Sequence, residues 1–195
     1  MRIISGEFKG RRLETLYGSA TRPTSDKIKE SLFNIIGPYF EADTVVDLFA
    51  GSGSLGLEAV SRGVRHGYLV DNNEEAVRVI QENVDNLRLN GRVTVMNQSA
   101  QSALDYFQAH DIQINLLFLD PPYDMDVIEE ILTVALVKGV LSKRGIVVCE
   151  TTKYKEFPDV IGSLEKIRDQ KYGKTRLSIY QNTEELPEEI SEEDD

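Results

Sequence analysis

The amino-acid sequence predicts an α/β fold in which a mostly parallel, seven-stranded sheet carries helices on both faces. From residue 44 onward, short apolar runs alternate with amphipathic segments of helical periodicity, and this alternation is typical of successive β-α-β units. Near the end, two strand-like segments meet at Gly173 with no helix between them. We therefore expect the sheet to close in an antiparallel hairpin.

The first forty residues predict a small extension ahead of that sheet. The segment RIISGEFKGRRL is typical of a short β-hairpin that turns between Gly6 and Gly10, because glycine tolerates the backbone angles of tight turns. In the following RPTSDKIKESLFNII, Ser25 can cap a helix whose apolar stripe includes Leu32 and Phe33. The extension is therefore expected to be a hairpin followed by one helix.

The alternating part of the chain contains five expected strands and four expected helices. The strands are TVVDLF, GYLV, VTVM, INLLFL and GIVVCE. The helices are SLGLEAVSRG, NEEAVRVIQENVDNLRL, AQSALDYFQAH and DVIEEILTVALVKG. Because the strand runs are short and continuously apolar, the sheet should be covered on both faces.

Charge is distributed unevenly and indicates three regions. The net charge is −11, but residues 184–195 hold eight acidic residues and no basic one, so removing those eight charges leaves −3 for the rest of the chain. Residues 1–29 hold seven basic and three acidic residues, which indicates either a solvated surface or a footprint for phosphates. We expect an N-terminal extension over 1–40, a core over 41–183, and an acidic disordered tail over 184–195.

Composition restricts the class of protein. A chain of 195 residues with 41% hydrophobic residues fits one ordinary globular domain. The single cysteine, Cys149, excludes an intrachain disulfide and lies in the apolar context of a buried strand. No run resembles a signal peptide or is long enough to span a bilayer. The expectation is a cytoplasmic protein without a membrane partner, and nothing in the sequence demands more than a monomer.

The stretch GSGSLG, from Gly51 to Gly56, matches the dinucleotide-binding pattern G-x-G-x-x-G in its proper strand–turn–helix context. Asp71 ends the next apolar run, twenty positions after Gly51, where a carboxylate that binds a ribose is expected. The pattern therefore indicates a cofactor that contains adenosine. It does not by itself say which one.

Asp47, four residues before Gly51, favours one such cofactor over the others. A carboxylate there would repel a pyrophosphate held at the helix N-terminus. It suits a ligand with an ammonium group and a sulfonium, and S-adenosylmethionine has both and no phosphate. The alternative is that Asp47 and Asp71 merely cap the ends of their strands.

The stretch FLDPPYD, from Phe118 to Asp124, predicts the reaction. An exocyclic amine on a nucleobase has its lone pair delocalised into the ring, so the lone pair must be localised before the nitrogen can attack. Ionised Asp120 can accept one amino hydrogen, and the carbonyl of Pro121, held by Pro122, can accept the other. Tyr123 offers a face on which the base can stack. The alternative is a strand terminator with an exposed tyrosine.

Together, VVDLFAGSGSLGLEAVSRG and FLDPPYD resemble the class I S-adenosylmethionine-dependent amino-methyltransferases, which have a Rossmann-like fold. The segments MRIISGEFKGRRL, TRPTSDKIKESLFNII and YGKTRLSIY resemble one family among them, the bacterial methyltransferases that act on the N2 amine of a guanine in 16S ribosomal RNA. The resemblance runs from Met1 to about Gln181. It implies that S-adenosylmethionine is the cofactor, and that the partner is 16S rRNA within a small ribosomal subunit or its assembly intermediate.

The resemblance also implies roles for particular residues. Those expected to bind the cofactor are Asp47, Phe49, Ala50, Gly51, Ser52, Gly53, Asp71, Asn72, Ser99 and Ala100. The expected catalytic residues are Asp120, Pro121, Pro122 and Tyr123, and the expected RNA-binding residues, facing outward from the extension, are Arg2, Arg11, Arg22, Thr24 and Lys27. No metal is expected. One position departs from many relatives, because Ser99 stands where an acid would bind the adenine amine, so Ser99, its neighbouring backbone or Asn97 must serve.

Three other functions fit parts of the pattern. A DNA adenine N6 methyltransferase would use the same DPPY chemistry, but no inserted recognition region is present. A protein glutamine amide methyltransferase would have a similar reaction centre, but the basic N-terminus does not support it. A non-catalytic RNA-binding or assembly protein would have lost the cofactor motif or the reaction motif, and both are intact.

Overall fold

The computed structural model describes residues 1–16 and 25–183. The strands are β1 Thr44–Asp47, β2 His66–Asp71, β3 Val93–Asn97, β4 Ile114–Leu119, β5 Leu141–Thr152, β6 Val160–Ile161, β7 Leu164–Tyr172 and β8 Thr175–Asn182. The helices are α1 Asp26–Ile36, α2 Ser54–Ser61, α3 Glu74–Leu87, α4 Ala100–Ala109 and α5 Ile128–Val137. Within the described ranges, no helix has the length and apolar character needed to cross a bilayer.

All these strands form one sheet in the order β3-β2-β1-β4-β5-β8-β7-β6. Strands β1 to β5 pair in parallel, and β8 pairs antiparallel with both β5 and β7. The α/β class and the closing hairpin are therefore confirmed. The expected number of strands was one too small, because β6 adds an eighth at the edge. A strand of two residues is too short to show any periodicity in the sequence.

The N-terminal segment follows a hairpin path without forming regular strands. One isolated antiparallel bridge joins Arg2 to Arg12, and the Ile3 amide donates to the Arg11 carbonyl at 2.9 Å. The turn between them includes Gly6 and Gly10, both with positive φ. The predicted cap of α1 is confirmed, since Ser25 Oγ accepts a hydrogen bond from the Ile28 amide.

Two apolar cores lie on the two faces of the sheet. One contains Leu57 and Phe118 together with Ile3 and Phe33 from the N-terminal part of the chain. The other contains apolar residues of α4 and α5, such as Phe107. Residues 1–16 and α1 thus share a core with the sheet. The boundary between residues 40 and 41 stays a prediction, and the expected tail, 184–195, lies outside the described residues.

A buried ionic cluster fixes the N-terminal segment to the start of α2. Lys29 Nζ lies 3.3 Å from Glu58 and donates to the Arg2 carbonyl at 2.6 Å and to Ser54 Oγ at 3.0 Å. Glu58 also accepts hydrogen bonds from the amides of residues 4 and 5 and pairs with Arg62 at 2.8 Å. Burial lowers the pKa of Lys29, and Glu58 opposes that change. The cluster holds the N-terminal segment beside the glycine turn that precedes α2.

Candidate functional site

The site lies where the parallel strands end, an edge of the sheet that we call the carboxyl edge. Asp47 of β1 is in register with Leu69 of β2 and Phe118 of β4, and Asp71 is in register with Asn97 of β3. The chain segments that follow these four strands therefore meet at one place. Parallel sheets bind their ligands at this edge.

The glycine turn begins directly after β1. Gly51 and Gly53 have φ values of 59° and 83°, a left-handed conformation that favours glycine. A side chain built on Gly51 would meet no atom within 4 Å, so this side of the turn is open to a ligand. The Gly51 amide donates to Asp71 Oδ2 at 2.9 Å. Because this amide is already bound to a carboxylate, it is a poor donor for a phosphate.

Asp71 joins the glycine turn to the next helix. Its Oδ1 accepts from the Asn73 amide at 2.9 Å, and Asn73 in turn caps α3. Each carboxylate oxygen can accept a further hydrogen bond. The backbone therefore fixes the orientation of Asp71 and leaves acceptor capacity for hydroxyl groups of a ligand.

A cavity of about 190 Å³ opens next to Asp71. Its lining includes five of the expected cofactor-binding residues, which are Phe49, Asp71, Asn72, Ser99 and Ala100. The other five, Asp47, Ala50, Gly51, Ser52 and Gly53, form the strand end and turn at the same edge. The structure thus brings all ten expected residues to one site, while their roles remain predictions.

Gln98 is a cavity residue that sequence reasoning missed. It lines the cavity, and its Oε1 is buried with no hydrogen-bond partner among the described residues. Ser99, one of the three acceptors considered, caps α4, and its hydroxyl accepts from the Ser102 amide at 3.1 Å. Asn97 is exposed and is not part of the lining. Gln98 and Ser99 both line the cavity and Asn97 does not, and only the backbone path after β3 decides this.

Three carboxyl groups lie beside the turn, of which Asp47 and Glu150 are buried and Asp120 is half-buried. Burial, with smaller contributions from Asp71 and Glu150, raises the pKa of Asp47 to about 7 although the Phe49 amide hydrogen bond opposes it. Burial likewise raises the pKa of Asp120 well above its ordinary value, and Glu150 and Asp47 raise it further. Such a cluster repels phosphates and stabilises a cation placed among its members.

Glu150 is a second residue of the candidate site that sequence reasoning missed. It is 4% exposed and follows Cys149, a buried thiol as expected. Because Leu119 of β4 is in register with Cys149 of β5, the next residues, Asp120 and Glu150, are neighbours. The available signal was an acid that ends the apolar run GIVVCE, just as Asp120, the first residue of DPPY, follows the apolar run INLLFL.

The Asp120–Tyr123 segment presents groups suited to hold an amine. The Pro122 carbonyl accepts from the Met125 amide at 2.9 Å, whereas no donor in residues 1–16 or 25–183 reaches the Pro121 carbonyl. The Tyr123 hydroxyl lies 3.3 Å from Thr175 Oγ1 at the start of β8, and the side chain is 51% exposed. The ring is thus held at one end with a face free for stacking.

The expected RNA-binding residues separate into three groups. Arg2 pairs with Asp26 at 3.0 Å and, like exposed Lys27, lies near the first turn of α1 beside the glycine turn. Arg11 donates to the Asn86 carbonyl at 2.8 Å. That atom lies about 20 Å along α3 from its start, at 1.5 Å per residue, so Arg11 is far from the carboxyl edge. Arg22 and Thr24 lie outside the described residues.

Comparisons with known proteins agree with this architecture. The family model described as "Conserved hypothetical protein 95" matches residues 1–181. "Putative rRNA methyltransferase YlbH" of Bacillus subtilis is 41% identical over 180 residues, which cover 92% of this chain and 98% of that protein. "Ribosomal RNA small subunit methyltransferase D" of Escherichia coli K12 is 29% identical over 181 residues, which cover 93% and 89%.

Solved structures confirm the expected fold. "Putative methyltransferase yhhF from Escherichia coli" matches with a TM-score of 0.80 at 28% identity and covers 93% of this chain and 97% of that one. "SMU.776, a putative methyltransferase complexed with SAH" matches with a TM-score of 0.68 at 12% identity, over 83% of this chain and 50% of that one. The latter likeness concerns the fold alone. Both support the expected class I, Rossmann-like methyltransferase fold.

Proposed function

The chain belongs to the family described as Conserved hypothetical protein 95, and we propose that it transfers a methyl group from S-adenosylmethionine to the N2 amine of a guanine in 16S rRNA. Relatives named as rRNA methyltransferases, of nearly the same length, support rRNA as the substrate class. The observation that carries the proposal is that Asp120 follows β4 at the same carboxyl edge as Asp47 and Asp71, next to a Pro121 carbonyl that accepts no hydrogen bond among the described residues.

The residues around the cavity fit this cofactor. When bound, S-adenosylmethionine supplies an electrophilic methyl group carried on a positively charged sulfur. Asp71 would accept hydrogen bonds from the ribose hydroxyls, and the unpartnered Gln98 Oε1 would accept one from the adenine amine. Asp47 and the open side of the glycine turn would hold the cationic methionine end.

At the reaction centre, two acceptors would orient the guanine amine. Asp120 and the Pro121 carbonyl each accept one N–H, so the nitrogen lone pair points away from both and toward the methyl group. The same acceptors stabilise the positive charge that develops on nitrogen during transfer. Asp120 must be ionised to serve as a pure acceptor. A cation beside it favours that form and counteracts the raised pKa that Asp120 has in the free protein.

Tyr123 would hold the base against these acceptors. Its exposed ring can stack on a guanine that has left its helix, a contact worth about 1–3 kcal/mol per base. The hydroxyl contact with Thr175 keeps the ring in place. The DPPY chemistry serves any planar amine and therefore does not distinguish guanine N2 from adenine N6. The family resemblance of the N-terminal segments is what supports guanine N2.

The test is methyl transfer with radiolabelled S-adenosylmethionine offered undermodified small ribosomal subunits, naked 16S rRNA and duplex DNA in parallel. We expect label in a ribosomal substrate alone, and much less with Asp120→Ala, whose cofactor affinity by calorimetry should stay within a few-fold of that of the unaltered protein. Label in DNA instead would favour the adenine enzyme. Cofactor binding without transfer to any nucleic acid would contradict the proposal and direct the search to protein amides.

A further inference from the structure

A second basic surface lies at the carboxyl edge, at the end of the β7–β8 hairpin. It consists of Lys153, Tyr154, Lys171 and Lys174, and we call it the hairpin-end surface. Lys153 and Tyr154 follow β5, whereas Lys171 and Lys174 flank the turn between β7 and β8. Strand β8 is antiparallel to β5, and Thr152 is in register with Thr175. The turn and the end of β5 therefore lie together.

Direct contacts connect this surface to the reaction centre. The Lys153 amide donates to the Lys174 carbonyl at 2.9 Å, and the next residue, Thr175, lies 3.3 Å from the Tyr123 hydroxyl. Lys174 of this surface is thus the neighbour in sequence of Thr175, which contacts Tyr123, the residue proposed to stack on the target base. A nucleotide chain whose target base reaches Tyr123 would have to pass next to this surface.

The charges of Lys153 and Lys174 are available to a ligand, whereas Lys171, after Arg176, helps to lower the pKa of Glu156. No acid in residues 1–16 or 25–183 forms an ion pair with Lys153, Lys171 or Lys174. The neighbouring acids already have a partner, since Arg176 binds both Glu156 at 2.8 Å and Asp169 at 2.6 Å. Lys155, by contrast, is held by Asp126 at 2.9 Å.

An aromatic ring lies among these cations. Tyr154 is 82% exposed, and Lys153 Nζ lies 4.9 Å from the centre of its ring. An exposed ring next to a lysine can stack on a base while the lysine contacts a phosphate. Basic groups interleaved with aromatic rings are the combination that binds single-stranded nucleic acid, through phosphate contacts and base stacking.

We propose that the hairpin-end surface binds the single-stranded RNA segment next to the target nucleotide, with phosphates at Lys153, Lys171 and Lys174 and a base stacked on Tyr154. This inference rests on the proposed function, because it needs an RNA substrate at Tyr123. It assigns RNA contacts to the C-terminal hairpin, in addition to those expected from residues 2–27.

The test uses the full chain and a labelled single-stranded RNA of about 12 nucleotides, with binding followed by fluorescence anisotropy over a range of salt concentrations. The variants are Lys153→Gln/Lys174→Gln, Tyr154→Ala and Tyr154→Phe. The matched control is Lys143→Gln/Arg144→Gln, which removes two exposed charges from the amino-terminal part of the same strand, β5.

The Lys153→Gln/Lys174→Gln variant should bind RNA about tenfold more weakly than the unaltered protein. Its slope of log affinity against log salt should be smaller by about 1.4, or about 0.7 for each lost phosphate contact. Tyr154→Ala should weaken binding about tenfold, and Tyr154→Phe should restore it. The control should bind like the unaltered protein, and calorimetry should give all variants the same affinity for S-adenosylmethionine.

An unchanged salt slope in the lysine variant, or an equal loss in the control, would overturn the inference. So would a loss of affinity only for assembled ribosomal particles, which would identify a protein partner instead. The two proposals fail separately. If the unaltered protein methylates no rRNA but the variants still lose RNA affinity as described, the proposed function is wrong, and the hairpin-end surface binds RNA without a target guanine beside it.

Discussion

Replacement of Asp47 by asparagine should stabilise the cofactor-free protein while it weakens the binding of the cofactor. The side chain is 1% exposed, and its pKa rises from 3.8 to about 7 chiefly because of burial. One pKa unit corresponds to about 1.4 kcal/mol, so ionised Asp47 lowers the free energy of unfolding by about 4 kcal/mol at most above pH 7. Asparagine keeps the shape and removes that cost.

The sign of the pH dependence follows from which state holds the proton more tightly. The folded state does, so the penalty is absent below the unfolded pKa of 3.8, grows as the pH rises, and is complete above the folded pKa of about 7. The stability advantage of Asp47→Asn should therefore be about 2 kcal/mol at about pH 5.5 and about 4 kcal/mol at about pH 8.

Urea unfolding of both proteins at the two pH values measures this difference. Asp43→Asn is the matched control, because Asp43 immediately precedes β1 whereas Asp47 ends it. The Asp43 side chain is 72% exposed and pairs with Arg65 at the surface, so the control should change stability by less than about 1 kcal/mol at either pH. An advantage for Asp47→Asn that is zero, or equal at both pH values, would refute the argument that burial opposes the charge of Asp47.

Cofactor affinity and stability should respond to other single changes in distinct ways. As the pH rises toward 7, the unaltered protein should bind S-adenosylmethionine more tightly, because the cationic end of the cofactor needs ionised Asp47. Calorimetry should show that the affinity of Asp47→Asn lacks this pH dependence. Asp71→Ala should weaken the cofactor about 10- to 100-fold by the same method, and an unchanged dissociation constant would exclude the ribose role. Asp120→Ala should reduce kcat about 100-fold or more in single-turnover assays, whereas near-normal turnover would remove it from the reaction centre. Glu58→Gln should cost about 3–5 kcal/mol in urea unfolding because Lys29 and Arg62 lose a buried partner, while exposed Glu75→Gln should cost almost nothing.

Most of the fold could be predicted because each element carries its own local signal. Strand β4 is a continuous apolar run, and α1 begins at a serine that caps it. Such signals depend on neighbours within one or two turns of the chain. The hairpin of β7 and β8 could be predicted for the same reason, since Gly173 lies between two strand-like runs. In the structure, Gly173 has the positive φ that such a turn favours.

Features that depend on distant neighbours could not be predicted. Lys29 is a charged residue of α1 and would be expected at the surface. It is nevertheless fully buried, and its charge is paired with Glu58 of α2. That Glu150 lies next to Asp120 can be recognised only when β5 is known to pair with β4. In the candidate site, the motif residues were visible by their spacing. By contrast, only the structure shows that Asn97 lies outside the cavity lining, that Ser99 caps α4, and that Gln98 Oε1 has no partner among the described residues.

The central claim is that the carboxyl edge methylates the N2 amine of a guanine in 16S rRNA. The most direct measurement is mass spectrometry of the nucleosides released from undermodified small subunits after reaction with the protein and S-adenosylmethionine. We expect N2-methylguanosine, present with the unaltered protein and absent with Asp120→Ala. Any other methylated nucleoside, such as N6-methyladenosine, or an unaltered yield with the variant, would contradict it.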